Sequence, residues 1–193
     1  MRIVAGRHCG RRLAAPEGRV TRPTSDRARE SLFNMLAHGD FGGGGDVFQG
    51  ARVLDAFCGS GALGLEARSR GADYVVLMDS EAAAISAARG NAALLGEETN
   101  VTCLHCDATS PPATPSTNEE PCSLVFLDPP YGGGLAATAL TALKDKGWLA
   151  RGALCVVETG ADEGFDPPPG FTQLKERRAG AARFHILRYG GAA

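Results

Sequence analysis

From residue 51 onward, short apolar runs alternate with segments of helical composition, and this alternation limits the possible folds more than any other feature of the chain. Arg52-Val53-Leu54-Asp55-Ala56-Phe57 reads as a buried strand and residues 62–70 as a helix. Tyr74-Val75-Val76-Leu77-Met78 is a second strand, followed by an Ala-rich helix over 81–95. Val101–Cys106 is a third strand and Ser123–Leu127 a fourth, with a helix over 134–145 after it. Ala153–Val157 is a fifth strand, and 171–175 with 183–189 read as a closing hairpin. Near-continuous apolar strands are those covered on both faces. Repeated β–α units therefore predict an α/β, Rossmann-like fold: a mostly parallel sheet with helices on both faces. Such sheets bind ligands at the C-terminal ends of their strands. With 193 residues and no composition break, a single domain over 1–193 is expected, its core spanning 51–189.

The charge is unevenly spread. The net charge is only −2, yet residues 1–38 carry a balance of +5 and residues 171–193 a balance of +4, against −11 for the middle. Two basic ends flank an acidic body. If they meet in space they form a cationic face suited to a polyanion. Residues 1–20 are Arg- and Gly-rich and can turn as a hairpin near His8-Cys9-Gly10. A helix over about 25–38, capped by Thr24 or Ser25, presents Leu32, Phe33 and Leu36 on one side. Arg7, Arg11, Arg12, Arg22 and Arg27 are the candidate RNA contacts of this basic extension. Gly39–Gly45 is a flexible breaker, and the Pro/Thr/Ser stretch 110–121 a surface loop.

No apolar run approaches the roughly 20 residues needed to cross a bilayer. Met1–Gly6 lacks the apolar stretch of a signal peptide, so a cytoplasmic location is expected. The six cysteines are then expected to be reduced. Cys103-Leu104-His105-Cys106 invites a zinc reading, but on a strand Cys103 and Cys106 point to opposite faces. No second pair has zinc-ribbon spacing, so no metal is expected.

Three motifs fall at strand ends. Asp55-Ala56-Phe57-Cys58-Gly59-Ser60-Gly61-Ala62-Leu63-Gly64 places Gly-x-Gly-x-x-Gly between a strand and a helix. Its glycines let the backbone turn tightly and approach a ligand. Dinucleotide enzymes use the same turn. Asp55, four residues before the first glycine, favours S-adenosylmethionine, because a carboxylate there attracts a cationic amino-acid end and sits poorly beside a pyrophosphate. Asp55, Phe57, Gly59, Ser60 and Gly61 form the first part of the expected cofactor site. Asp79-Ser80-Glu81 ends the second strand; Asp79 stands first as acceptor for two ribose hydroxyls, with Glu81 the alternative. Asp107-Ala108 ends the third, where Asp107 can accept from an adenine amine. Each acid alone is as readily a solvated strand end; their recurrence at successive strand ends is the signal.

Leu127-Asp128-Pro129-Pro130-Tyr131 follows the fourth strand. An aromatic amine is a poor nucleophile because its lone pair is delocalised into the ring. Two acceptors aimed at its N–H bonds orient that lone pair toward a methyl donor. Asp128 supplies a side-chain acceptor and Pro129 a carbonyl, and the consecutive prolines Pro129 and Pro130 preorganise both. Tyr131 offers a face on which an extruded base can stack.

Together these residues resemble the amino-methyltransferases with an Asp/Asn-Pro-Pro-Tyr motif. Met1–Gly6, Gly10–Leu13, Pro16–Gly18, Thr21–Arg27 and Glu30–Leu36 further resemble the RsmD family, as do Gly59–Ala67 and Leu127–Tyr131. The resemblance runs from residue 1 to about 188. It implies a seven-stranded class I methyltransferase sheet with S-adenosylmethionine as donor. It also implies a substrate, N2 of one guanine in 16S ribosomal RNA (guanine 966 in the usual rRNA numbering) of an assembling small subunit, and a monomeric enzyme. This chain departs from the family at Cys58, where Ala is usual, at Asp79-Ser80-Glu81, and at Arg177–Arg183, which lacks an expected Tyr and Asp/Thr. A DNA adenine methyltransferase shares Asp-Pro-Pro-Tyr but usually needs an added region to read duplex sequence. A protein-glutamine methyltransferase fits the Arg-rich start and Asp128 less well. A nicotinamide dehydrogenase leaves Asp128–Tyr131 unexplained, and a non-enzymatic RNA-binding module explains the basic ends alone.

Overall fold

The computed structural model describes residues 1–16, 26–41, 45–114 and 120–190. Seven strands form one sheet: β1 (Arg52–Ala56), β2 (Tyr74–Asp79), β3 (Val101–His105), β4 (Cys122–Leu127), β5 (Leu149–Gly160), β6 (Phe171–Ala179) and β7 (Ala182–Tyr189). Their order is β3-β2-β1-β4-β5-β7-β6. β1 to β5 run parallel, while β7 is antiparallel to both β5 and β6. This is the class I methyltransferase sheet that the resemblance implies. The chain leaves β1 toward β2 and β3, then returns to lay β4 on the other side of β1. The switch point, where such sheets open a crevice, therefore lies between β1 and β4.

Side-chain alternation along the strands builds two cores. Val53, Val75, Leu77, Leu124, Phe126, Val156 and Phe184 pack under α1 (Asp26–His38), α2 (Ala62–Ser69) and α3 (Ala82–Leu95). Leu54, Val76, Val125, Cys155 and Val157 pack under α4 (Leu135–Asp145) on the opposite face. Phe33 fastens α1 to the first face; its ring lies 5.3 Å from Phe48 and 5.5 Å from Phe126. Truncating a fully buried Phe to Ala costs about 3–5 kcal/mol. Cys103 of β3 packs on the first core and Cys106, just past its end, on the second, so the two turn to opposite faces.

Residues 1–13 form a small hairpin, with Ile3 N–H donating to Arg11 O at 2.9 Å and Leu13 N–H to Met1 O at 3.1 Å. It is docked firmly against α2. Ile3 is buried, and the fully buried Glu66 of α2 accepts from Val4 N–H at 2.6 Å and Ala5 N–H at 3.0 Å. Gly6 has φ +79, and a Cβ there would lie 1.9 Å from Ser69 O, so only glycine permits this approach.

Most element ends agree with the sequence reading to within a residue or two. The cap expected at Thr24 or Ser25 lies outside the described residues. β5 is longer than 153–157, extending from Leu149 to Gly160. β6 continues past 175 to Ala179 although its residues are exposed on both faces. As an edge strand it is held by its backbone ladder to β7, which leaves no apolar periodicity to read.

Candidate active site

β1 ends at Ala56, and Phe57 then adopts φ 66, a left-handed conformation that is costly for a residue with a Cβ. The turn continues through Gly59 at φ 54 and Gly61 at φ 78. A Cβ on Gly61 would meet Leu77 Cδ1 at 2.8 Å and one on Gly64 would meet Leu77 Cδ2 at 2.6 Å, so these two glycines let α2 press onto the sheet. Gly59 differs, because a Cβ there would meet nothing within 4 Å. Its peptide faces open space at the head of β1, where a ligand can approach the backbone.

Carboxylates converge on this turn from three strands. Asp55 is buried; its Oδ2 accepts from Gly64 N–H at 2.8 Å, while Oδ1 has no hydrogen-bond partner among the described residues. Burial pushes its pKa well above the usual value. The Gly64 N–H opposes the shift, and the charges of Asp128 and Asp79 add to it. Asp79 is buried with both oxygens engaged: Oδ2 accepts from Gly59 N–H and Oδ1 from Glu81 N–H, each at 2.9 Å. Glu81, at the N-cap of α3, is exposed, as is Ser80, and no described residue bonds the Glu81 carboxylate. Asp107 Oδ1 holds its own turn through Thr109 N–H at 2.8 Å and Thr109 Oγ at 2.7 Å, with Ala108 buried beside it. Ser60 is buried; its carbonyl accepts from Asn91 Nδ2 at 2.9 Å.

Asp128, half-buried, follows the last residue of β4; the register pairs Asp55 with Phe126 two residues earlier, and the charge of Asp128 still reaches Asp55 across the switch point. Pro129 is buried and Pro130 exposed. Tyr131 keeps its ring 52% exposed while its hydroxyl donates to Glu158 Oε1 at 2.7 Å. Burial, the Glu158 hydrogen bond and the charges of Glu158, Asp128 and Glu163 all push the Tyr131 pKa up, so it stays a phenol. Glu163 accepts from Gly132 N–H at 3.1 Å and Gly160 N–H at 3.2 Å, tying the loop after β4 to the loop after β5. Pro129, Tyr131, Leu135, Glu158 and Phe165 line a small cavity of about 90 Å³ between these loops. The sequence reading missed Glu158 and Glu163. Glu158 carries the same signal as the other acids, a carboxylate near a strand's C-terminal end, but a fifth strand read as ending at Val157 stops one residue short of it.

The expected cofactor and Asp-Pro-Pro-Tyr residues thus share one end of the sheet. The arginines do not all join them. Arg7 lies 3.6 Å from Glu97 and Arg11 donates to Leu94 O at 2.7 Å, both around the C-terminal ends of α2 and α3. Arg12 is exposed on the hairpin and Arg27 on α1; Arg22 lies outside the described residues. Among those residues no group of three or more His, Cys, Asp or Glu could hold a metal ion, and no helix is long and apolar enough to cross a membrane.

Residues 1–188 match the family described as conserved hypothetical protein 95, the RsmD family. The chain belongs to it. Family members include the ribosomal RNA small subunit methyltransferase D of Escherichia coli, 37% identical over 189 residues, covering 97% of this chain and 89% of the relative. The protein of the same name from Haemophilus influenzae is 32% identical, covering 97% and 93%. The solved structure of Escherichia coli yhhF, described as a methyltransferase candidate, superposes with a TM-score of 0.80 at 34% identity, covering 100% of this chain and 99% of that one. Family membership accounts for the amino-terminal block, since residues 1–50 lie within the matched span.

Proposed function

We propose that this protein is a ribosomal RNA methyltransferase that transfers a methyl group from S-adenosylmethionine to the exocyclic N2 amine of one guanine in 16S rRNA, guanine 966, during small-subunit assembly. The observation that carries the reading is the juxtaposition of Asp128–Tyr131 with the Gly59 turn and Asp55 across the switch point. The names of the relatives support rRNA as substrate.

The residues present fit the cofactor. Asp55 has a buried oxygen to which no described residue donates, and Asp79 and Asp128 add negative potential, which together suit a cationic ligand with an ammonium group. The open space over Gly59 lets that ligand lie against the backbone, with Phe57, Ser60 and Gly61 forming the rest of the turn. Asp79 or Glu81 takes the ribose hydroxyls, Ser80 and Ala108 border the site, and Asp107 takes the adenine amine. When bound, the cofactor supplies an electrophilic methyl group.

This chain's own residues prepare the acceptor. Asp128 and the Pro129 carbonyl accept the two amine N–H bonds and turn the lone pair toward the methyl group; they also stabilise positive charge developing on that nitrogen. Tyr131 stacks on the extruded base, and its tether to Glu158 fixes where the ring sits.

Asp128→Ala should lower the single-turnover rate about 10²–10³-fold, as for loss of a preorganised polar group, while the cofactor dissociation constant stays near wild type. Methyl transfer should be assayed on naked 16S RNA, partly assembled 30S particles and duplex DNA, with the product located by mass spectrometry. Methylation of DNA adenine with none on rRNA would overturn the assignment.

A further inference from the structure

The outer face of α1 and the exposed edge strand β6 border an open groove of about 450 Å³ that the proposed reaction does not use. Arg27, Glu30, Ser31, Asn34 and Met35 line it from the helix and Arg177 from the strand. Residues 27, 30, 31 and 34 follow helical spacing along one stripe. Packing does not require these four, because α1 buries a different stripe, Arg29, Leu32, Phe33 and Leu36, with the buried Met35 at the border between the two. The groove is where the two basic ends of the chain meet.

Its location relates it to the active site. Strand register sets Glu158 opposite Phe184 and Phe184 opposite Arg177, one row across β5, β7 and β6. Residues in such a row share a sheet face, and two strand spacings amount to about 10 Å. Glu158 holds Tyr131. The groove therefore opens beside the place where the target base stacks.

Its chemistry selects the ligand. The nearby arginines are spoken for: Arg178 lies 3.5 Å from Asp162 and Arg183 lies 3.2 Å from Glu176. The side chains of Arg27 and Arg177 have no ion pair or hydrogen bond among the described residues. Two guanidinium groups lining one groove repel each other until an anion lies between them and accepts hydrogen bonds from both. Glu30 argues against a bare phosphate. Together with Ser31 and Asn34 it offers acceptors and donors for a base edge, and Met35 offers an apolar floor. Cations for a phosphate and mixed polar groups for an edge are the complement of an unpaired nucleotide.

We propose that this groove binds an unpaired nucleotide neighbouring the target guanine, with its phosphate between Arg27 and Arg177 and its base against Asn34 and Met35. The proposal rests on the reading that the substrate is RNA. It makes the enzyme grip its substrate at two points.

The test is an Arg27→Ala/Arg177→Ala double variant, checked for wild-type thermal unfolding and S-adenosylmethionine binding, and titrated with a naked 16S RNA fragment over a range of salt. Affinity should fall about tenfold or more. The slope of log affinity against log salt should fall by about 0.7–0.9 for each phosphate no longer held. Asn34→Ala should raise the RNA KM with the salt slope unchanged, because it removes a group that faces the base. If wild type methylates the fragment and the double variant matches it in affinity and slope, the groove proposal falls while the function stands. If wild type neither binds nor methylates rRNA, both fall. A defect on 30S particles with none on naked RNA assigns the groove to a protein partner and overturns the proposal.

Discussion

Tyr131 and Glu158 are joined by a 2.7 Å hydrogen bond from phenol to buried carboxylate, linking the exposed ring after β4 to the end of β5. Hydrogen bonds to a carboxylate are stronger than neutral ones, so the bond holds the far end of the ring in place. If its role is to hold the stacking ring in position, Tyr131→Phe and Glu158→Gln should each raise the RNA KM and lower the single-turnover rate. Their effects should not add, leaving a coupling energy of about 0.5–3 kcal/mol in a double-mutant cycle. Additive losses would show that the two residues act separately. Because its surroundings push the Tyr131 pKa up, the wild-type rate should show no break near pH 10, where an ordinary tyrosine ionises.

Asp55 gives a prediction of opposite sign for stability and binding. Its folded pKa is raised, so the folded state holds the proton more tightly than the unfolded chain. The resulting stabilisation is fully present below the ordinary Asp value of about 3.9 and is lost as pH rises toward the raised value. Above the ordinary Asp value the ligand-free protein therefore bears the cost of burying a half-satisfied carboxyl group. Asp55→Asn should raise the melting temperature of the ligand-free protein at pH 7, by about 2–4 °C for each kcal/mol recovered in a chain of this size. It should flatten the stability profile above about pH 4 and weaken S-adenosylmethionine binding. An unchanged cofactor affinity would remove Asp55 from the binding role.

The parts of this molecule that could be read from sequence are those in which each residue's environment follows from its neighbours in the chain. Val53, Leu54, Val75 and Val76 announce strands buried on both faces, and Gly59, Gly61 and Gly64 announce the turn between them. What escaped is held by partners distant in sequence. Glu66, an acid in the middle of an ordinary helix, anchors backbone donors 61 and 62 residues away. Glu176 to Arg178 look like a loop because an edge strand needs no apolar face. The motif reading found Asp79 but not that both its oxygens are already committed to backbone N–H groups.

That commitment shapes the test of the ribose site. Asp79→Ala frees the Gly59 and Glu81 amides, untying the glycine turn from β2 and the start of α3. It should therefore lower the melting temperature as well as cost about 1–3 kcal/mol in cofactor affinity. Glu81→Ala touches no such bond and should leave the melting temperature unchanged, with a smaller affinity loss. A larger affinity loss in Glu81→Ala, measured calorimetrically, would assign the ribose hydroxyls to Glu81.

The arginines of the amino-terminal hairpin divide by position. Arg11 donates to the Leu94 carbonyl in the last turn of α3, a helix whose 14 residues carry that hydrogen bond roughly 20 Å from the strand ends. A cation there offsets the partial negative charge of the helix C-terminus. Arg7 sits close by, at 3.6 Å from Glu97, which also accepts from Arg68 at 2.7 Å and meets His8 at 2.7 Å. Both arginines therefore help dock the hairpin. Arg12 has no such task. It is exposed, its side chain makes no hydrogen bond or ion pair among the described residues, and the adjoining Ala14 is held by Asn91, which also binds the Ser60 carbonyl of the glycine turn. Arg12→Ala should therefore reduce the slope of log RNA affinity against log salt by about 0.7–0.9, the share of one phosphate, without changing the melting temperature. Arg7→Ala with Arg11→Ala should lower the melting temperature slightly, since exposed pairs contribute about 0–1 kcal/mol, and leave the slope near wild type. Cofactor binding should be the same in all of these variants. A salt titration in which the Arg7/Arg11 pair accounts for the decrease in slope, and Arg12 for none of it, would place the RNA along the far ends of α2 and α3 instead of across the hairpin's free edge.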